Sequence, residues 1–279
     1  VSHALIVVPT PIGNLEDMTI RGLRVLGEVG HVAAEDTRHA TVLLNHYQLR
    51  KRMVAYHQHN KRSAIPRILQ LLEVEDVALV SDAGMPAIAD PGWELIRAAL
   101  RAGYRVEVLP GPSAVTTAVA LAALPARGFV FLGYLPRRAA EARRRLAEVA
   151  DLEYSLVFFE APHRVLKTAQ ALLGALGNRD VVAVRELSKI HEEAIRTDLT
   201  DLARRLEESE ARGEWTFVVG PSVHGTQMPD DQAIERALLR LLASGMTGRD
   251  AVAQTARDLH LARGHVYSIY LRMNRDERA

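Results

Sequence analysis

Short apolar runs separated by amphipathic stretches constrain this chain more than any other feature. Ala4–Val8, Val32–Ala34, Val77–Ser81 and Val106–Leu109 are dominated by β-branched and small apolar residues, and Met53–Tyr56 is a weaker run of the same kind. Between them Ile65, Ile68, Leu69 and Leu72 stand at i, i+3, i+4 and i+7, the stripe of an amphipathic helix. Leu95, Ile96, Ala99 and Leu100 repeat the pattern in the next crossover. Strands that are apolar throughout are buried on both faces, and strands alternating with helices at this spacing predict a mostly parallel sheet with helices packed on it.

A second α/β stretch follows. Strands are expected at Phe129–Leu132, Leu156–Phe159, Val181–Val184 and Thr216–Val219, with a helix over Arg164–Leu176 whose Leu166, Ala169, Leu173 and Leu176 share a face. Leu121–Arg127, carrying Pro125, is the expected hinge between the halves. Ser222–Pro229 reads as a linker, and beyond it only helical patterns remain, at Asp231–Ala243, Gly248–Leu259 and Gly264–Met273. Three short helices with glycine at each break suggest a helix-turn-helix bundle. The expected organisation is α/β over 1–125, α/β over 126–224 and a helical module over 225–279.

Composition narrows the chemistry. The chain has no cysteine, which excludes disulfides, thiolate catalysis and cysteine-based zinc sites. Its longest weakly polar stretch, Ala114–Leu124, falls well short of the roughly 20 residues a membrane helix needs. Val1–Val8 lacks the basic start of a signal peptide, so a cytoplasmic protein is expected. Net charge is +1, and any basic footprint must therefore be local. One exists: Arg137, Arg138, Arg143, Arg144 and Arg145 stand against the single acid Glu141. Arginine forks match phosphate geometry, so RNA contact and a merely solvated helix face are both open readings.

Most motifs sit where strands end. Val8-Pro9-Thr10-Pro11-Ile12-Gly13-Asn14 follows the first strand as a stiff loop, with too few glycines for a dinucleotide fingerprint. Ala34-Glu35-Asp36-Thr37-Arg38-His39 ends the second; Asp36 or Thr37 suits a helix cap, and the group as a whole suits a polar cleft. Ser81-Asp82-Ala83-Gly84 leaves a buried strand with an acid followed by small residues that let a ligand approach the backbone. Further along the same loop, Asp90 as N-cap and Pro91 at the first helical position are expected to start the next helix. Pro110-Gly111-Pro112-Ser113-Ala114 points another helix N-terminus at the same edge, with Ser113 as the expected cap. Phe158–Arg164 and Arg185–Lys189 place charges after strands of the second half, and a ligand cleft between the two sheets follows. His57 and His59 lack a third ligand of clear spacing, so no metal is expected.

Taken in order, VPTPIGN, AEDTR, SDAG-Met-Pro-Ala-Ile-Ala-Asp-Pro-Gly, PGPSA, Phe-Glu-Ala-Pro-His-Arg and Arg-Glu-Leu-Ser-Lys resemble the tetrapyrrole-methylase superfamily, in particular its branch acting on ribosomal RNA. The resemblance covers nearly the whole chain. It implies two α/β domains with S-adenosylmethionine folded into the interdomain cleft, a homodimer, and methylation of the 2′-hydroxyl of a decoding-centre cytidine in the 16S rRNA of the small ribosomal subunit. Carried over by position, it implies cofactor contacts at Pro11, Ile12, Gly13, Asp82, Gly84, Met85, Ser113, Ala114, Phe159, Leu187 and Gly220. Met85 stands where a threonine is expected and Ala89 where a polar residue is commoner, so the backbone carries the contacts there.

Such a reaction needs a positioned nucleophile and an acceptor for its proton. Glu35, Asp36, His57, His59 and Glu160 are placed to serve, with Asp36 foremost and Arg38 holding a phosphate; His57, His59 and the Arg137–Arg145 cluster are assigned to the RNA. Three competing readings stay open: a methylase of corrinoid or sirohaem precursors, a diphthamide-pathway methylase, and a non-catalytic RNA-binding protein that senses the cofactor.

Overall fold

In the computed structural model, which describes residues 3–124, 127–208, 212–222, 231–259, 261 and 263–276, the period-two alternation hidden in the apolar runs decides the first sheet. Its strands β1 (Ala4–Val7), β2 (His31–Ala34), β3 (Arg52–Ala55), β4 (Val77–Val80) and β5 (Arg105–Val108) run in the order β3-β2-β4-β1-β5, every pair parallel. Ala4, Ile6, Ala78 and Val80 face one helix layer, and Leu5, Val7, Val77 and Leu79 face the other. Helices α1 (Ile20–Glu28) and α2 (Thr37–His46) cover the first face through Val25, Leu26, Ala40 and Leu44. Helices α3 (Lys61–Leu71) and α4 (Trp93–Arg101) cover the second through Ala64, Ile68, Leu95 and Ala99. Each fully buried Leu or Ile contributes about 1.5–3 kcal/mol, so neither face tolerates a polar substitution in the central strands.

The second sheet, unlike the first, is mixed. Its strands β6 (Phe129–Tyr134), β7 (Ser155–Glu160), β8 (Asp180–Arg185), β9 (Glu193–Asp198) and β10 (Trp215–Val219) are ordered β6-β7-β10-β8-β9. Only β6 and β7 run parallel; β10 is antiparallel to β7 and β8, and β9 is antiparallel to β8. Strand β9, absent from the sequence reading, is the edge sequence Glu-Ala-Ile-Arg-Thr-Asp, which has no apolar run to announce it. One face carries α6 (Ala139–Ala147), α7 (Val165–Leu176) and α8 (Leu199–Glu207). In α7 the fully buried stripe is Val165, Ala169 and Leu172, joined by Leu176, while Leu166 and Leu173 are only partly covered. The other face carries α5 (Ala114–Ala122), whose Val115, Ala118 and Ala122 pack on Val157, Val182, Val184 and Val218.

Residues 1–221 form one compact unit holding both sheets, and 222–279 form another. The expected domain boundaries at 125/126 and 224/225, and the linker beyond Ser222, lie outside the described residues. In the second unit α9 (Asp231–Ala243), α10 (Gly248–Asp258) and α11 (Arg263–Asp276) enclose their own core of Ile234, Leu238, Ala251, Val252, Val266 and Ile269. Thr247 caps α10 by accepting from the Asp250 amide at 3.3 Å while its hydroxyl donates to the Asp250 carboxylate at 2.7 Å. Among the described residues no helix is long and apolar enough to cross a membrane.

Candidate active site

Three loops leave the carboxyl edge of the first sheet, where open α/β sheets bind ligands. Backbone hydrogen bonds knit them together. The Thr10 amide donates to the Gly84 carbonyl and the Gly84 amide to the Thr10 carbonyl, both at 2.9 Å, joining the loops after β1 and β4. The Thr10 hydroxyl donates to the Ser81 carbonyl at 3.1 Å, and the Asp36 amide donates to Asp82 Oδ1 at 3.1 Å, tying in the loop after β2. Gly84 has φ +75°, and a Cβ there would meet Ile12 Cγ2 at 3.3 Å, so glycine is needed both for the turn and for the approach. Ala87 and Ala89 are left-handed as well, at φ 70° and 64°. Each costs about 1–2 kcal/mol, strain of the kind that clusters at functional sites.

That strained turn corrects the expected helix start. Helix α4 begins at Trp93 with Gly92 as its N-cap and no side-chain capping bond. Asp90 is therefore not a cap, and its carboxylate faces the cleft instead. Ser113 does occupy the N-cap position of α5, but its hydroxyl makes no capping bond and lines the same cleft.

The second sheet closes the opposite wall. Tyr134 and Phe159 come from the carboxyl ends of β6 and β7, with Phe159 in edge contact with Phe131 at 4.9 Å and Tyr134 at 5.9 Å. Leu187 follows β8. Because β10 runs antiparallel, its first residues reach this edge, so Glu214, Trp215 and Thr216 line the cleft. Gly220, at the far end of β10, is on the opposite edge, which corrects its expected role as a cofactor contact. Its amide bonds the Asp180 carbonyl at 2.8 Å, a structural task. The cleft encloses about 270 Å³.

Of the expected cofactor residues, Ile12, Asp82, Gly84, Met85, Ser113, Ala114, Phe159 and Leu187 line this space together with Glu35. Pro11 and Gly13 do not. Gly13 instead lets the first loop press on the second half: a Cβ there would come within 2.4 Å of Lys189 Cγ and 3.0 Å of the Leu187 carbonyl oxygen.

Two of the expected catalytic acids are otherwise employed. Asp36 is the N-cap of α2, accepting from the Arg38 amide at 2.8 Å, and the Arg38 guanidinium grips the same carboxylate at 2.6 Å. These bonds hold its carboxyl well below the usual carboxylate range, which makes it a poor proton acceptor, and they occupy the arginine expected to hold a phosphate. Glu160 is buried, accepts from the Ala161 amide at 2.9 Å and the Thr168 hydroxyl at 2.5 Å, and faces Arg164 at 3.4 Å. It does not line the cleft. His57 and His59 stand with ring centroids 6.1 Å apart, also away from the lining, and no group able to hold a metal occurs among the described residues. Arg137, Arg138 and Arg143–Arg145 are exposed on and before α6; Arg138 pairs with Glu141 at 3.2 Å.

Four carboxylates, from Glu35, Asp82, Asp90 and Glu214, converge on the cleft, and none of the residues lining it is Arg, Lys or His. Burial, then Asp82 and Asp36, raise the Glu35 carboxyl. Burial, then Glu35, Asp82 and Glu214, push Asp90 up to about 7. Burial and the neighbouring acids also raise the Tyr134 phenol. Glu214 itself is bonded by Lys189 at 2.9 Å, and Asp82 faces His39 at 3.3 Å. Among the acids of the cleft, Asp90 and Glu214 are the two the sequence did not point to, and Tyr134, Trp215 and Thr216 join them in the lining. Asp90 looked like a cap, and Glu214 precedes a strand whose direction was not legible.

A strained, glycine-hinged cleft between a parallel and a mixed sheet is the arrangement of a methyltransferase of the tetrapyrrole-methylase type, and this chain belongs to that family: the model described as Tetrapyrrole (Corrin/Porphyrin) Methylases matches residues 4–203. Among its relatives, the Ribosomal RNA small subunit methyltransferase I of Halalkalibacterium halodurans is 38% identical over 95% of this chain and 94% of its own length. The protein of the same name from Thermotoga maritima is 45% identical over 77% of this chain and 97% of its own length. Solved structures share the fold. A cobalt precorrin-4 methyltransferase aligns with TM-score 0.62 at 18% identity, covering 78% of this chain and 94% of that one. A uroporphyrin-III C-methyltransferase from Thermus thermophilus, complexed with S-adenosyl homocysteine, aligns with TM-score 0.55 at 22% identity, over 80% of this chain and all of its own.

Proposed function

We propose that this protein methylates the ribose 2′-hydroxyl of a cytidine in the decoding centre of 16S rRNA, using S-adenosylmethionine, and that it works as a cytoplasmic homodimer on the small ribosomal subunit. The observation that carries the reading is identity of 38% over 95% of the chain to a relative named for methylation of small-subunit ribosomal RNA. The cleft fits the cofactor. Its four carboxylates suit a ligand carrying a sulfonium and an ammonium, Ile12, Phe159 and Leu187 give apolar cover, and the Gly84 turn opens the backbone to close approach. When bound, that cofactor supplies a methyl group on a sulfonium whose departure leaves a neutral thioether.

The chain's own residues do the rest. The knitted loops after β1, β2 and β4 hold their donors and acceptors in fixed places, and such positioning supplies on the order of 7–11 kcal/mol in well-oriented systems. Acidic walls favour a cation and disfavour a polycarboxylate macrocycle, the substrate of the corrinoid or sirohaem reading, for which the lining offers no basic partner. Exposed Arg137 and Arg143–Arg145 lie on and just before α6, outside the cleft, and are suited to phosphates at a distance from the reacting ribose. The test is methyl transfer from tritiated S-adenosylmethionine to purified small subunits, followed by digestion of the RNA to nucleosides. Label in 2′-O-methylcytidine is expected; label absent from RNA, or present only in methylated bases, overturns the proposal.

A further inference from the structure

We propose that Asp90 is the catalytic residue that takes the proton from the attacking ribose hydroxyl; this rests on the methyl-transfer reading above. In the step, a lone pair of the 2′-oxygen forms the new C–O bond to the methyl carbon as the C–S bond breaks. The C–S electron pair stays on sulfur, and the O–H proton passes to an Asp90 carboxylate oxygen, from which solvent later removes it.

Position singles out this residue. The acids of the cleft divide between the two walls: Glu35 and Asp82 rise from the first sheet, and Glu214 from the second. Asp90 lines the cleft between them, close enough to feel Glu35 and Asp82 on one side and Glu214 on the other, and the Tyr134 phenol of β6 senses it too. A carboxylate lining the cleft between the two walls is within reach of a ligand held there. Glu35, the remaining expected acid, is raised by Asp82 and Asp36 and in turn acts on Asp90, and no acid of the second sheet acts on it.

Availability agrees with position. Asp90, like Glu35, has no side-chain hydrogen-bond or ion-pair partner among the described residues, whereas Asp36 is held by Arg38, Asp82 by the Asp36 amide and His39, and Glu214 by Lys189. The two left-handed alanines before it, Ala87 and Ala89, turn the chain so that Asp90 leaves the helix axis it would otherwise cap, and the turn folds Gly92 so close to Ala87 that a side chain there would come within 2.9 Å of it. A backbone held in such a conformation fixes the carboxylate before substrate arrives. Its raised affinity for a proton also suits the work, because a base is most effective when it titrates near the working pH.

The experiment uses the full chain and its Asp90→Asn variant, which keeps shape and removes the acceptor. At saturating cofactor, single-turnover methyl transfer to small subunits is expected to fall by roughly a hundredfold or more, a loss larger than any change in cofactor affinity read by calorimetry. The parent's rate is expected to rise with pH through about 7 and the variant's to lose that limb. A readout independent of turnover is carboxyl ¹³C NMR of the free protein, in which one resonance titrates near 7 and disappears in Asp90→Asn. Transfer within a few fold of the parent overturns the proposal, as does the absence of any carboxyl titrating above the ordinary range. Glu35→Gln is the comparison: transfer abolished there and kept in Asp90→Asn makes Glu35 the acceptor and overturns it too. Parent protein that labels no RNA at all defeats the underlying reading and this assignment with it, a result separate from a parent that labels RNA and a variant that does so equally well.

Discussion

A carboxyl held up to about 7 by burial and three neighbouring acids binds its proton more tightly than the same aspartate in the unfolded chain, which titrates at about 3.9. The native state therefore carries the extra proton between those values, and stability falls as pH rises through that window. The contribution of Asp90 is fully present below about pH 4 and lost by the time pH has passed about 7. Relative to Asp90→Asn, the parent is expected to lose on the order of 1–2 kcal/mol between pH 5 and 8, after discounting for the solvent that reaches a half-buried group. Urea unfolding at the two pH values checks this, and parallel pH dependences contradict it. Asp36 gives the opposite expectation. Asn caps helices as well as Asp does, so Asp36→Asn is expected to keep the fold and to hold methyl transfer within a few fold of the parent. A loss of roughly a hundredfold or more would return Asp36 to the role of base.

At the scale of elements, the first sheet was legible because its strands are apolar on both faces and its helices carry stripes that match them. Eight of the eleven expected cofactor positions also fall in the cleft, since loops after parallel strands must end on one edge. The second sheet was less legible. Thr216–Val219 reads as a buried strand in either direction, and only pairing with Val157 and Val182 through Val218 sets it antiparallel. That reversal exchanges Gly220 for Glu214 at the cleft. The Asp90 turn was illegible for a different reason: Asp-Pro-Gly before a helical stripe is good capping chemistry, and left-handed Ala87 and Ala89 override it. The turn's other hinge gives a direct test. Gly84→Ala places a Cβ at φ +75° and 3.3 Å from Ile12, and is expected to cost about 1–2 kcal/mol in stability and to weaken cofactor binding measurably by calorimetry. Helix α6 is tested by charge. Reversing Arg143, Arg144 and Arg145 to Glu is expected to weaken RNA binding and to flatten its log–log salt dependence by about 0.7 for each phosphate no longer neutralised, with cofactor affinity unchanged. An unaltered slope would place the RNA elsewhere.

The whole molecule joins a unit that holds the cleft to a separate helical unit with its own core. Removing residues 222–279, which form a compact unit of their own, is expected to leave cofactor affinity within about threefold of the full chain while slowing transfer to small subunits. Equal loss of both would show instead that the helical unit supports the cleft. Residues 222–279 carry little net charge, so their contribution to a ribosomal substrate is expected to lie in shape and a few contacts more than in bulk attraction. The central claim is that the acidic cleft between the two sheets delivers a methyl group to a ribose hydroxyl of small-subunit RNA. Mass spectrometry of nucleosides from 16S rRNA, taken from small subunits incubated with the full chain and isotopically labelled S-adenosylmethionine, measures it most directly. Label is expected in 2′-O-methylcytidine confined to one decoding-centre fragment. Label on a base carbon or nitrogen, or RNA that stays unlabelled, would contradict it.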